Sequence, residues 1–181
     1  MRNTLSEEEM DVFQDYLDIS NSYFEYGSSL TTIIASKTKN LKKIFTVTSE
    51  EEIYNELVGS LSTSNIQILY KNINGGKLGI PTNGNFKNIW PEYPSAILDH
   101  SEPGMMWDLV MLNGRFRVAA AAAAYSKISE DGYLMVHDFD RNSYSPINTL
   151  YTKIKMVKTL AIFKKKSLSL DLFNKYKYIY E

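Results

Sequence analysis

Apolar residues recur along the chain at two alternating periods, and the switches between them mark out the elements. Residues 4–17 carry a helical pattern: hydroxyl residues and then Glu7, Glu8 and Glu9 open it, and Met10, Phe13 and Leu17 share one face. Residues 22–26 read as a short strand stopped by Gly27, and 30–39 as a helix with Ile33 and Ile34 turned to a core. A second strand at 43–48 is rich in β-branched and aromatic side chains. A helix capped at 49–52 carries Ile53, Leu57 and Leu61, and a third strand spans 65–70. Gly75, Gly76, Gly79, Pro81 and Gly84 make 72–90 a loop, with a short helix at 95–101. The fourth strand, 107–112, leaves through Asn113-Gly114 into a helix at 116–127 that contains six consecutive alanines, 119–124. A fifth strand at 131–136, a helix near 147–151 and strands near 154–158 and 160–165 complete the pattern.

Strands that alternate with helices need right-handed crossovers. The expected fold is therefore α/β and Rossmann-like, a mostly parallel sheet with helices on both faces. No internal repeat or linker divides the chain, so 1–181 reads as one domain. Residues 1–20 are its N-terminal helix and 167–181 a basic, aromatic C-terminal tail. The loop at 72–90 reads as functional.

Composition changes this picture mainly by exclusion. A hydrophobic content of 44% argues against disorder. The chain has no cysteine, which removes disulfides, thiolate catalysis, zinc ribbons and cysteine-bound iron–sulfur clusters. Two histidines, His100 and His137, leave little scope for a histidine metal site. Metal is expected to play no part, although Asp and Glu side chains keep the capacity to hold Mg²⁺. Lys and Arg number 20 against 21 Asp and Glu, a net charge of −1 that argues against nucleic acid as the main partner. The polar N-terminus lacks a signal-peptide core, and no apolar run nears the roughly 20 residues of a bilayer span. The expectation is a cytoplasmic protein with a small-molecule substrate and no membrane. Its oligomeric state stays open, a homodimer being one option.

In an open parallel sheet, ligands bind beyond the carboxyl ends of the strands, near the reversal in strand order. Those ends are Glu25-Tyr26-Gly27-Ser28-Ser29, Thr48-Ser49-Glu50, Tyr70-Lys71-Asn72, Asn113-Gly114-Arg115-Phe116-Arg117 and His137-Asp138-Phe139-Asp140. Gly27 lets a ligand approach the backbone ahead of a helix N-terminus, but an ordinary glycine turn explains it equally well. No P-loop lysine follows, and the second and third glycines of a dinucleotide fingerprint are missing. Arg115 and Arg117 at a helix start oppose the macrodipole and call for acidic partners: Glu25, Asp138 or a bound anion. A structural ion pair suits one of them and substrate orientation the other. His137 beside Asp138 is either structural or a general base. The lysines of 164–166 and the Lys175-Tyr-Lys-Tyr178 stretch read as solvated surface.

Taken in order, these segments resemble the class I S-adenosylmethionine-dependent methyltransferase superfamily. They look most like small methyltransferase-like proteins whose fourth strand ends in Asp-Gly-Arg-Phe-Arg-Val; here the stretch is Asn113-Gly-Arg-Phe-Arg-Val118. Tyr23-Phe-Glu-Tyr-Gly-Ser28, Gly79-Ile-Pro81, Trp90-Pro-Glu-Tyr93, Gly132-Tyr-Leu-Met-Val-His-Asp138 and Leu160-Ala-Ile-Phe-Lys164 match in the same order. The resemblance implies a seven-stranded sheet with an antiparallel pair at its edge and S-adenosylmethionine as cofactor. It implies Glu25 and Gly27 at the methionine part, with Tyr26, Ser28 and Ser29 in the same turn. Thr48, Ser49 and Glu50 would meet the ribose, and Asn72, Ile73, Asn113 and Gly114 would flank the adenine and the transfer face.

Three positions depart from the pattern. Ser29 stands for a second glycine, Thr48 for the acid that grips the ribose, and Asn113 for Asp. Two functions follow. One is methyl transfer to a small molecule such as a sugar or nucleotide-sugar, with His137 or Asp138 taking the proton and Arg115 or Arg117 orienting an anionic group. The loop at 72–90, with Trp90 and Tyr93, would shape the acceptor site. The other is a catalytically silent relative kept as a binding or assembly module. A nucleotide or nicotinamide binder is a third option, weakened by the broken glycine pattern.

Overall fold

The computed structural model describes residues 5–61, 63–76, 80–82, 84–167 and 172–179. Thr4 of the opening signature, Gly79 of the loop, and 168–171 and 180–181 of the tail lie outside the described residues.

Ser6 starts the first helix, α1 (Glu7–Asp18), with a capping box: Glu9 N donates to Ser6 Oγ at 3.3 Å and Ser6 N to Glu9 Oε2 at 2.8 Å. The chain then alternates β1 (Ser22–Tyr26), α2 (Leu30–Lys37), β2 (Lys43–Thr48), α3 (Glu51–Ser60) and β3 (Ile66–Tyr70). Two 3₁₀ turns, Gly84–Phe86 and Trp90–Glu92, interrupt the following loop before α4 (Ala96–Asp99). β4 (Trp107–Leu112), α5 (Arg117–Ala124), β5 (Ile128–Val136), α6 (Ile147–Leu150), β6 (Tyr151–Val157), β7 (Leu160–Lys165) and α7 (Leu172–Tyr176) complete it.

The seven strands form one sheet in the order β3-β2-β1-β4-β5-β7-β6. The first five pair in parallel, and β7 runs antiparallel to both β5 and β6. The order reverses between β1 and β4, so the loops leaving those two strands diverge there. Every residue of β1 is buried, as befits a central strand covered on both faces. One face packs Phe13 and Leu17 of α1 against Tyr23, Ile44, Leu109 and Met135. The other packs Phe24, Tyr26, Val47 and Val110 against α5, whose six alanines are all buried. A helix of alanines approaches the sheet closely, leaving room for Tyr151 to lie across it and donate to Ala121 O at 2.8 Å.

The expected α/β sheet is therefore present, with local differences. In α2 it is Thr31, Thr32 and Ala35 that are buried, while Ile33 and Ile34 are half-buried, Ile34 packing against the core as expected. The helix turns its hydroxyls inward because a buried carboxylate, Glu25, lies beneath them. α5 ends at Ala124, and β5 begins at Ile128 rather than 131, because Ile128 pairs with Trp107 across an irregularity in the ladder. Among the described residues no helix is long and apolar enough to cross a membrane, and no three metal-binding side chains cluster.

Candidate functional site

The turns that leave β1 and β4 meet at two glycines. Gly27 has a φ of +88°, a conformation open to glycine, and a Cβ added there would stand 2.3 Å from Gly114 N and 2.4 Å from Gly114 Cα. The contact is reciprocal: a Cβ on Gly114 would stand 2.9 Å from Gly27 Cα and 2.1 Å from the Tyr93 hydroxyl. Beside this crossing a cavity of about 150 Å³ opens between the ends of β1, β2 and β4. Gly27, Ser28, Ser29, Thr48, Ser49, Glu50, Asn113, Gly114 and Arg115, all singled out in the sequence, line it, with Glu52 and Ile53.

Beneath the glycine turn lies Glu25, with no exposed surface. Thr31 Oγ1 donates to Glu25 Oε1, and Thr32 Oγ1 donates to Glu25 Oε2 at 2.6 Å. Burial outweighs these hydrogen bonds and pushes the Glu25 carboxyl up to about 7. Its side chain therefore supports the cavity floor rather than lining it. Tyr26 likewise points away: it is fully buried and donates to Pro94 O at 2.6 Å.

The sequence pieces at 113–117 and 137–138 form a clamp on the next two strand ends. Arg117 donates to His137 O through one nitrogen, to Asn113 O at 3.2 Å and to Gly114 O at 3.1 Å through the others. It also pairs with Asp138 at 3.2 Å, and Asp138 pairs in turn with Arg141 at 2.8 Å. This planar fork ties two strand-end turns together, a task lysine's point charge cannot perform. Phe116 and Asp138, on either side of the clamp, hold left-handed backbone at φ +53°. Arg115 precedes α5 instead of lying in its first turn, and it reaches the cavity wall. Arg117 is thus the structural ion pair, with Asp138 as its partner; Glu25 pairs with hydroxyls instead.

His137 sits directly behind the wall, its Nδ1 3.1 Å from Asn113 Oδ1 and its Nε2 3.9 Å from Glu9 Oε2. Burial lowers its pKa below the usual 6.5, against the opposing pull of Asp138 and Glu9. Ile73 and Asn72 do not reach the cavity. Ile73 is fully buried and its carbonyl accepts from Trp90 Nε1 at 3.0 Å, while exposed Asn72 closes a local turn by accepting from Asn74 N at 2.8 Å. Trp90 and Tyr93 are buried too, stacked around Phe116, so they brace the loop from inside.

No family model and no curated protein sequence matches the chain. Solved structures do match. A methyltransferase-like protein from Silicibacter pomeroyi superposes with a TM-score of 0.78 at 22% identity, over 91% of this chain and 88% of that one. The N-methyltransferase NodS from Bradyrhizobium japonicum, solved with S-adenosyl-L-homocysteine, gives a TM-score of 0.55 at 11% identity, over 90% and 89%. A TehB-like S-adenosylmethionine-dependent methyltransferase from Corynebacterium glutamicum gives 0.52 at 10% identity, over 86% of each chain. The fold is that of the class I methyltransferases.

The cavity lies at the reversal in strand order, where open parallel sheets hold ligands, and its residues suit one such as S-adenosylmethionine. The Gly27 cradle admits a ligand against bare backbone. Thr48, which replaces the usual acid, has its Oγ1 engaged by Glu50 N at 3.1 Å. Glu50 and Glu52 nonetheless bring two carboxylates to the same wall, and Ile53 adds an apolar surface. The sequence placed Glu52 in a helix cap and Ile53 on that helix's apolar face, and neither was read as a site residue. Their signal was adjacency: both lie in the first turn of α3, directly after the strand end Thr48-Ser49-Glu50 that the sequence did single out.

Proposed function

We propose that this protein transfers a methyl group from S-adenosylmethionine to a small-molecule acceptor in the cytoplasm. The observation that carries the reading is the cavity at the β1/β4 reversal, floored by Gly27 and Ser29 and walled by Glu50 and Gly114. Bound S-adenosylmethionine supplies a methyl group already activated on a sulfonium sulfur. What remains for the protein is alignment and the handling of one proton.

Gly27 and Ser28 would hold the methionine part. Glu50 or Glu52 would accept the ribose hydroxyls in place of the missing acid at Thr48. Arg115 would orient an anionic acceptor, of which a nucleotide-sugar is the class proposed. His137, kept neutral at pH 7 by burial, or Asp138 would take the acceptor proton.

A catalytically silent binding module is the second reading, and cavity size favours it: about 150 Å³ is below the roughly 300 Å³ at which ligand sites begin. Calorimetry with S-adenosylmethionine and S-adenosylhomocysteine, followed by assay of homocysteine-nucleoside release with a panel of sugar and nucleotide-sugar acceptors, separates them. Binding with turnover is expected. Binding without turnover on any acceptor supports the silent module, and no binding at millimolar ligand overturns the methyltransferase reading.

A further inference from the structure

The two edges of the sheet are built differently. β6, at one edge, carries Lys153 and Lys155, with an irregularity in its ladder between them. Were two copies of β6 to pair about Ile154, Lys153 of each would stand opposite Lys155 of the other, and like charges so placed are destabilising. Lysines and bulges on an edge strand discourage its pairing with another chain. β3, at the other edge, has neither. Its sequence, Ile-Gln-Ile-Leu-Tyr, holds no charge and no proline, and its ladder with β2 runs without a shift.

The ladder also shows which backbone groups this edge offers. Asn65 O accepts from Ile44 N at 2.8 Å and Lys71 N donates to Thr48 O at 2.9 Å, so the odd-numbered positions bond to β2. The even-numbered ones, Ile66, Ile68 and Tyr70, turn their N–H and C=O groups outward. Ile66 N meets Thr63 O at 3.4 Å, and among the described residues no strand lies beyond Ile68 and Tyr70. The side chains of these three residues share one face of the sheet. It is the face that α3 covers, because Tyr54 packs against Tyr70 with ring centroids 6.0 Å apart. α3 runs back along β3, so Val58, one turn or about 6 Å beyond Tyr54, lies level with Ile68. Val58 is 51% exposed.

We propose that β3 is the contact surface for a second copy of this chain, the two strands pairing antiparallel about a two-fold axis at Ile68. A two-fold contact uses one patch twice, so the patch must complement itself. β3 meets that condition. The axis sets Ile68 opposite Ile68 and Tyr70 opposite Ile66, an aromatic–β-branched pair of the kind that stabilises sheets. Each Ile68 N donates to Ile68 O of the other copy, and each Tyr70 N to Ile66 O. Lys71 falls opposite Asn65, so the strands set no like charges against each other. The two Val58 side chains meet beside the axis and leave water. The lysines of β6 then guard both outer edges of the joined sheet.

The chain has no cysteine, so introduced thiols report the pairing without background. Hydrogen-bonded antiparallel pairs hold their Cα atoms about 5.5 Å apart, within disulfide reach. Sedimentation equilibrium of the unmodified full chain should give a dimer at micromolar concentration. Mild oxidation of Ile68→Cys should yield a covalent dimer on a denaturing gel, and Ile154→Cys, on the guarded edge, should stay monomeric. Val58→Glu, which sets two charges beside the axis, should raise the dimer Kd about tenfold or more while its melting stays cooperative. Should that variant fail to fold, the unmodified chain and the two cysteine variants still decide. A monomer at millimolar protein overturns the proposal and leaves the edge to a different chain or to none. A dimer that fails to cross-link through Ile68→Cys, cross-links as readily through Ile154→Cys, or is untouched by Val58→Glu overturns it as well. None of these outcomes bears on the methyltransferase reading, which rests on the cavity.

Discussion

Glu25 is a carboxylate that folding removes entirely from water, and its effect on stability has a definite sign. Its pKa rises from 4.5 to about 7 in the folded chain. Below pH 4.5 both folded and unfolded chains hold the proton. Between 4.5 and 7 the folded chain binds a proton that the unfolded chain has released, so stability declines as pH rises, by on the order of 3 kcal/mol in all. Urea unfolding at pH 5 and pH 8 measures that difference, and Glu25→Gln should remove this share of it. An identical pH difference in the variant contradicts the assignment. The glycine crossing makes a second prediction. Gly114→Ala places a Cβ 2.1 Å from the Tyr93 hydroxyl and 2.9 Å from Gly27 backbone, both fixed by packing, and should cost about 1–3 kcal/mol. Gly59→Ala, in α3 with nothing within 4 Å, should instead stabilise by up to about 1 kcal/mol. Denaturation midpoints that rank the two variants the other way remove the close approach of the two turns from the account.

At the scale of elements, two side chains of α1 reach the turn between β6 and β7: Glu8, which pairs with Lys158 at 2.6 Å, and Glu9. Glu9 Oε1 accepts from Thr159 N and Thr159 Oγ1, both at 2.8 Å, and from Leu160 N at 3.0 Å, while Oε2 closes the capping box. Burial opposes its charge, but these hydrogen bonds outweigh burial and hold its pKa below the usual range. Glu9→Ala removes the cap and leaves the donors at the start of β7 unsatisfied, so a loss of about 1–3 kcal/mol is expected. A thermal midpoint unchanged by Glu9→Ala would remove this anchor from the account. The helix was legible in the sequence as a helix; its anchor was not, because the partners lie 150 residues away. The same contrast runs through the other elements. β1, β2 and β4 were read to the residue, since each is an apolar run cut off by Gly27, by Ser49-Glu50 or by Asn113-Gly114. β5 was read late because Ser129-Glu-Asp131 is polar, and its start is set by Ile128, which pairs with Trp107 ahead of an irregularity in the ladder. Of the two isoleucines read as facing a core, Ile34 packs against the α1 face of the sheet, while the most buried positions of α2 go to the hydroxyls that meet Glu25. The strand-end rule found nine of the eleven cavity residues. It could not tell that Tyr26 and Arg117 turn inward, as Ile73, taken from the resemblance, also does, since sequence position sets a strand end and packing sets a side chain's direction.

For the whole molecule, the cavity occupies the one line along which the sheet's two halves diverge. Strands β1, β2 and β3 run out to one edge from that line, and β4, β5, β7 and β6 to the other. Gly27 and Asn113 each continue a ladder bond past the strands, Gly27 N to Val47 O at 2.8 Å and Asn113 N to Tyr26 O at 2.9 Å. A ligand seated there touches both halves at once, so its binding energy should appear as global stability rather than as order in one loop. For a single site bound only by the folded chain, S-adenosylmethionine at a hundred times its Kd should stabilise by about 2.7 kcal/mol. A cavity of about 150 Å³ must widen for a complete nucleoside and amino acid. Part of the interaction energy is then spent in separating the two glycine turns, and the apparent affinity falls by that share. Methylthioadenosine is smaller and demands less widening. Melting curves with each ligand, at concentrations matched to their measured Kd values, should therefore show equal rises, because stabilisation at matched saturation reflects mass action alone. A larger rise for S-adenosylmethionine at matched saturation would mean that the longer ligand also binds differently to the unfolded chain or at a second site, and the single cavity at the reversal would not suffice.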